Sequence, residues 1–282
     1  MKKPIAILVI SAALISAATA WALSRPFQSS TPDPLTGCPS VELTWLLQPV
    51  TKEERAATLH ETRVPIAELE TQCDQRAWLQ SIASRITGPG KDETQKMTLW
   101  AGFLQEALFH SCNAPLDEQG QAVYSPIWML QNRGVQCGQS ARLFVDGMTA
   151  IGMKARLVQL HNHVSAEAWA DGKWHFVETD ALIDGDQIWR SDGRIASVSE
   201  IMADKSLLKG VIAMEELTQY PVCTNLGIPT FESVFQKYRY PGDSLDTPYV
   251  IKKTATSEQE RNHYFGWNYY EKCRLDDASC YN

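Results

Sequence analysis

The chain has 282 residues, 44% of them hydrophobic and 21% charged, with a formal net charge of −7. That length can bury a sizeable core, in one large domain or two small ones, and the composition is ordinary for a globular protein. The acidic balance argues against nucleic acid or an anionic membrane surface as the main partner.

The first predicted element is a targeting segment over residues 1–23. Lys2 and Lys3 precede an apolar run from Pro4 to Leu23, and both Ala18-Thr19-Ala20 and Ala20-Trp21-Ala22 fit the small-x-small cleavage pattern of a secretory signal. The run is also nearly long enough to span a bilayer, so membrane anchoring by residues 4–23 is the alternative to cleavage. Either way the rest of the chain is expected outside the cytoplasm, periplasmic or secreted. Residues 24–37, rich in Pro, Ser and Thr, read as a linker.

Residues 38–89 read as a helical N-terminal region. Thr51 opens a helix, and Trp78, Ile82 and Ile86 follow helical spacing after Ile66, Leu69 and Cys73. Gly88-Pro89-Gly90 breaks the pattern, and His60 suits a solvated helix surface. Lys91 to Ser111 is the next predicted helix, with Met97, Trp100, Ala101, Leu104 and Leu108 on one face. His110, near its end, suits capping or packing. Ala114 to Ser125 reads as a loop, and Pro126 to Gln131 leads into a cysteine.

From Gln131 to Asp180 the chain is organised around chemistry. A polar loop with Gly134 carries Cys137 into a helix marked by Ala141, Phe144, Val145, Met148 and Ile151, which Gly152 ends. Strands follow over Ala155 to Gln159 and Val164 to Trp169. Asp171-Gly172 is a hairpin turn, and Trp174 to Asp180 pairs back as a further strand. Amides at a helix N-terminus favour a thiolate, and a nearby imidazole can shuttle its proton. His163 lies 26 residues beyond Cys137, which lets a helix and a strand return it to the sulfur. Glu178 and Asp180, two apart on one strand, would share a face, and either can fix the imidazole tautomer.

Beyond Asp180, Asp184-Gly185-Asp186 and Asp192-Gly193 read as turns of one more hairpin, without the closing glutamate of a calcium loop. Ser197 to Leu208 reads as a helix. From Pro221 the chain is dense in aromatics, including Tyr238, Tyr240, Tyr249 and Tyr270, and reads as an irregular extension wrapped on the core. The organisation is then a core over residues 90–215 and an aromatic- and Cys-rich extension over 216–282.

Four ordered elements carry a resemblance. Gly134-Val135-Gln136-Cys137 with Ala141 resembles a Gly-x-Cys-x-x-x-Ala helix start, the glycine standing one residue further from the cysteine than usual. Gly152-Met153-Lys154-Ala155-Arg156-Leu157-Val158 resembles Gly-Ile-x-Ala-Arg-x-Val. His163 and Glu167 form His-x-x-x-Glu, and Gly172-Lys173-Trp174-His175-Phe176-Val177-Glu178 resembles Gly-Lys-Trp-x-x-Val-Asp, with Glu178 in place of the usual Asp. Together they resemble the transglutaminase-like superfamily, in an exported bacterial form. The resemblance implies an α+β fold related to papain-like cysteine peptidases, with a central helix packed on an antiparallel sheet. It implies that Cys137 is the nucleophile and His163 the base, with Glu178 or Asp180 as the orienting carboxylate. Gln131, six residues before the cysteine as in papain-like enzymes, and Gln136 are candidate oxyanion donors beside the Cys137 amide.

The implied activity is that of a cysteine protease, amidase or acyltransferase on a peptide or protein substrate, with hydrolysis favoured and no metal or organic cofactor needed. The resemblance also singles out Cys137 as the free thiol among seven cysteines. The other six could form three disulfides in fifteen pairings, of which Cys273 with Cys280 is the most local. The competing class is a non-catalytic scaffold for an envelope or polysaccharide partner.

Overall fold

The computed structural model describes residues 38–40, 43–65, 73–180, 187–211, 231–254 and 270–281. The expectations for the targeting segment, the linker, Ile66, Leu69 and the Asp184–Asp186 turn lie outside the described residues. Among the described residues, no helix is long and apolar enough to cross a membrane.

The fold is α+β. Helices α1 (Leu43–Leu46) and α2 (Lys52–Ala57) lead to a two-residue strand β1 (Arg63–Val64) and then to α3 (Gln75–Thr87) and α4 (Glu93–Ala107). Capping sets the starts: Thr51 and Glu54 form a reciprocal box at α2, as do Asp92 and Gln95 at α4. The expected helix to Ser111 is shorter. Leu108 leaves helical geometry, and Phe109–His110 becomes a strand, β2. Strand β3 (Leu116–Asp117) pairs with β1, and α5 (Pro126–Asn132) precedes β4 (Gly134–Val135).

Helix α6 (Cys137–Ala150) is central. Ten of its residues, from Gln139 to Ala150, are buried. Trp100 of α4 lies so close that a methyl on Gly147 would stand 2.5 Å from its ring, and its Nε1–H donates to the Phe144 carbonyl at 3.2 Å. Gly152, at φ 85°, supplies the left-handed residue that ends α6.

Behind α6 lies a five-stranded antiparallel sheet in the order β7-β6-β5-β8-β9. Its strands are β5 (Ala155–Leu160), β6 (His163–Ala170), β7 (Lys173–Val177), β8 (Tyr249–Lys253) and β9 (Tyr270–Cys273). Leu157, Val164, Ala166, Ala168 and Val177 pack with α6 and the helical layer. Val158, Leu160 and Phe176 belong to a second cluster with Phe231, Val234, Phe235, Ile201 and Leu208. β5 is buried at every position because both of its faces are covered, its polar residues Arg156 and Gln159 included.

The C-terminal segment therefore does more than wrap the core. Its two strands extend the sheet from β5, through Val158↔Val250 and Val250↔Cys273. Neither short strand, Tyr249–Lys253 nor Tyr270–Cys273, carries an alternating pattern that would mark it in sequence. The expected helix at Ser197 to Leu208 is split into α7 (Val198–Ala203) and a 3₁₀ turn, because the Asp204 side chain caps a new start by accepting from the Ser206 amide. Disulfides join Cys38 to Cys73 and Cys273 to Cys280, and Cys112 is also bonded. Such bonds persist in oxidising compartments outside the cytoplasm.

Candidate active site

Cys137 is half-buried as the first residue of α6 and is the free cysteine among the described residues. The amides of a first helical turn have no partner within the helix and point their N–H groups outward beside it. The start is pinned by side chains. The Gln136 N–H donates to Gln139 Oε1 at 3.0 Å, and Gln139 Nε2 donates to the Val123 carbonyl at 2.5 Å. The preceding residues are zipped to β2 by parallel pairing, Phe109↔Gly134 and His110↔Val135, so His110 is carried to the mouth of the cysteine helix. Gly134 allows that approach, since a methyl there would stand 3.0 Å from the Phe109 ring. The left-handed turn residue is Arg133, at φ 64°.

His163 opens β6, and Glu178 follows the end of β7. The register Ala166↔Val177 places them diagonally on neighbouring strands, and His163 Nε2 meets Glu178 Oε2 at 2.8 Å with both side chains about 1% exposed. The second carboxylate takes other hydrogen-bond partners. Strand β7 ends at Val177, the Asp180 N–H donates to Glu178 Oε1 at 2.9 Å, and Asp180 Oδ2 meets His110 Nδ1 at 2.8 Å. The expectation of one strand face for both carboxylates is thus corrected: the chain turns after Val177, and each carboxylate meets a different histidine. The turn is anchored from the helices. Ser140 Oγ lies 2.7 Å from the Thr179 carbonyl oxygen, and Gln105 Nε2 donates to the Glu178 carbonyl at 2.9 Å.

The Cys137 sulfur, a ring nitrogen of His163 and a carboxylate oxygen of Asp180 all lie within 4.8 Å of one another. With Nε2 engaged by Glu178, Nδ1 is the His163 nitrogen left for the sulfur, and it makes no hydrogen bond of regular geometry. Burial opposes protonation of this ring. The Glu178 charge and the contacts with Cys137 and Glu178 outweigh it, raising the pKa well above the usual histidine range. His110 follows the same pattern with a smaller result: burial lowers its pKa, and the charge and hydrogen bond of Asp180 raise it further.

The other predicted positions are less central. Gln131 is exposed on α5, and Gln136 is half-buried at the start of α6. His161 stacks on Tyr238 at 4.7 Å, and both ring nitrogens of buried His175 face carbonyls, those of Ile195 and Ala170. Glu167 is structural: it binds Arg156 at 2.6 Å and accepts from the Val198 N–H at 2.8 Å. Two positions had little or no chemical signal in sequence. His110 read as a packing residue because its partner lies 70 residues away. Tyr124 sat in a featureless loop. It is buried, burial holds its pKa high, and its hydroxyl stands 3.7 Å from where a side chain on Gly138 would begin.

No family model matches the chain, and no curated relative does. Among solved structures, the chain is similar to a candidate cysteine protease from Cytophaga hutchinsonii, at 14% identity over 46% of this chain and 43% of that one, with a TM-score of 0.32. A candidate protease from Parabacteroides distasonis ATCC 8503 aligns at 14% identity over 51% of this chain and 30% of its own, with a TM-score of 0.34. A structure described as a TGase aligns at 16% identity over 50% of this chain and 36% of its own, with a TM-score of 0.30. The chain spans less than half the length of each, and likenesses this partial carry no argument about activity.

Proposed function

We propose that the chain is an exported thiol enzyme of the transglutaminase-like type, which cleaves an amide or peptide bond of a peptide or protein substrate or transfers its acyl group. The observation that carries this reading is the free Cys137 at a helix start, within 4.8 Å of a histidine whose far nitrogen is bound by Glu178 at 2.8 Å. Cys137, as the thiolate, attacks the carbonyl carbon. The carbonyl π pair moves to oxygen, where the Cys137 amide and the Tyr124 hydroxyl donate to it. Collapse expels the amine, which takes the proton held by His163, and a thioester remains. His163 then takes a proton from the acceptor, water for hydrolysis or an amine for transfer, as that acceptor displaces the sulfur. Glu178 fixes the ring and stabilises its charge, and hydrolysis is the favoured outcome.

The test is alkylation by iodoacetamide at neutral pH, followed by mass mapping. One label at Cys137, lost in Cys137→Ala while the fold survives, is expected. Labelling elsewhere, or an unreactive Cys137, would remove the nucleophile. Tyr124→Phe separates the oxyanion role, because alkylation builds no oxyanion. Its alkylation rate should hold while turnover of an amide substrate falls roughly 10²-fold.

A further inference from the structure

Asp180 is 4% exposed, and its two carboxylate oxygens meet different fates. Oδ2 lies 2.8 Å from His110 Nδ1, whereas Oδ1 makes no hydrogen bond among the described residues. Buried polar atoms are normally satisfied, and a carboxylate oxygen can only accept, so the missing partner is a donor. Its place is defined. An oxygen of Asp180 lies within 4.8 Å of both the Cys137 sulfur and a ring nitrogen of His163, the two groups on which the proposed chemistry turns. We infer that Asp180 Oδ1 receives the N–H of the scissile amide. It thereby selects substrates whose leaving nitrogen carries a hydrogen over those, such as bonds before proline, whose nitrogen has none. This rests on the thiol-enzyme reading and adds to it the side of the substrate on which selection acts.

The dimensions suit one nitrogen. Sulfur approaches a carbonyl carbon to about 3–3.5 Å, the amide nitrogen is about 1.3 Å further on, and an N–H···O bond spans about 2.9 Å. That path is longer than the 4.8 Å within which sulfur and carboxylate lie, so it closes with a bend at the carbon under attack. The carboxylate is braced for the task. His110 holds Oδ2, and the Asp180 N–H is tied to Glu178 Oε1 at 2.9 Å. In the tetrahedral intermediate the nitrogen directs its own hydrogen at Asp180 and takes a second proton from His163. The C–N bond then breaks with its electron pair on nitrogen, the carbonyl re-forms and the neutral amine departs. As nitrogen gains the proton its own N–H becomes a stronger donor, and its bond to an anion tightens. Asp180 therefore contributes more in the transition state than in the bound ground state. A tertiary amide has no such hydrogen to give, and neither has the leaving oxygen of an ester.

The experiment places one acyl group, benzoylglycyl, on three leaving groups: a p-nitrophenyl ester, a p-nitroanilide and the N-methyl form of that anilide. Acylation of Cys137 is followed by chromophore release and by mass, in the native chain and in Asp180→Asn. The acyl-enzyme is the same throughout, so differences arise in the first step alone. In Asp180→Asn, anilide acylation should fall about tenfold, with the ester and the N-methylanilide unchanged within about twofold. The native preference for the anilide over its N-methyl form should shrink by the same factor. Ester and anilide falling together would indicate a structural role and overturn the inference. The native chain supplies a test free of any variant: equal acylation by the anilide and its N-methyl form, or acylation by the ester alone, would overturn it as well. A native chain that the ester does not acylate at Cys137 would overturn the thiol-enzyme reading itself, and this inference with it.

Discussion

Two histidine–carboxylate pairs flank the same cysteine, and both close at 2.8 Å, yet they are supported differently. His163 sits on an eight-residue inner strand, and its side chain and that of Glu178 are each about 1% exposed. His110 sits on a two-residue strand, with its side chain 11% exposed, and depends on parallel pairing to the cysteine loop. Contact distance alone does not rank them. What ranks them is the register that fixes each ring and the atom each leaves facing the sulfur. By that measure His163–Glu178 is the working pair of the function proposed above, and in that reading His110–Asp180 holds the neighbouring carboxylate in place.

The sharpest way to break this ranking is to neutralise the two carboxylates separately. Glu178→Gln keeps the shape of the side chain but removes the charge that fixes the His163 tautomer. The fall in amide turnover should be on the order of 10³–10⁴-fold. Asp180→Asn should cost less than about 10²-fold. Equal losses would show that both pairs act on the reacting atoms.

The same contrast has a pH signature. Both rings have folded pKa values raised above the unfolded value, His163 the further, because carboxylate charges outweigh burial. A group with a raised folded pKa contributes stability that is fully present below its unfolded pKa, about 6.5 for histidine. That contribution is lost as pH rises through the folded value. Stability measured by denaturant should therefore fall across and above neutrality. Glu178→Gln should flatten more of that slope than Asp180→Asn. Imidazole proton resonances followed against pH would assign each part, and an unchanged His163 titration in Glu178→Gln would undo the assignment.

A third change addresses the support of His110 alone. In Gly134→Ala the added methyl would meet the Phe109 ring at 3.0 Å and Thr58 Cγ2 at 3.1 Å, so the Phe109 side chain on β2 and Thr58 must each give by a few tenths of an ångström. Overpacking of this kind costs about 1–3 kcal/mol. Thermal unfolding should show that loss, with His163 chemistry retained and the His110 titration altered. Loss of both titrations together would mean that the pairs are mechanically one unit.

The inner pair was legible only in part: His163 opens a well-marked strand, while Glu178, just past the end of β7, was one of two candidate carboxylates. Cys137 opens an amphipathic helix, and His163 and Glu178 bracket a hairpin marked by Asp171-Gly172, both of which adopt positive φ. The outer pair was not. Strand β2 is two residues long and exists only through its pairing with β4, so no local pattern announces it. The role of Asp180 turned on where β7 stops. That point is set by the Asp180 N–H folding back to Glu178 and by Ser140 gripping Thr179, contacts that join distant segments. The strands of the C-terminal segment were hidden in the same way, since β8 pairs with β5 nearly a hundred residues earlier and β9 pairs with β8 in turn.

The smallest effect belongs to the histidine nearest His163 in sequence. His161 stands in the tight turn between β5 and β6, where Asn162 takes φ 53°, and its ring stacks on Tyr238 instead of entering the site. An aromatic contact at such a partly exposed position contributes about 0.5–1.5 kcal/mol beyond burial at most. His161→Ala should cost less than about 1 kcal/mol and leave the Cys137 alkylation rate and its pH dependence unchanged. Because the turn holds the β5–β6 register through Leu160↔His163, the variant also asks whether the working pair is fixed by the sheet or by local ring packing. An altered His163 titration in His161→Ala would move that support from the sheet to the turn, and would narrow the distinction between the two pairs.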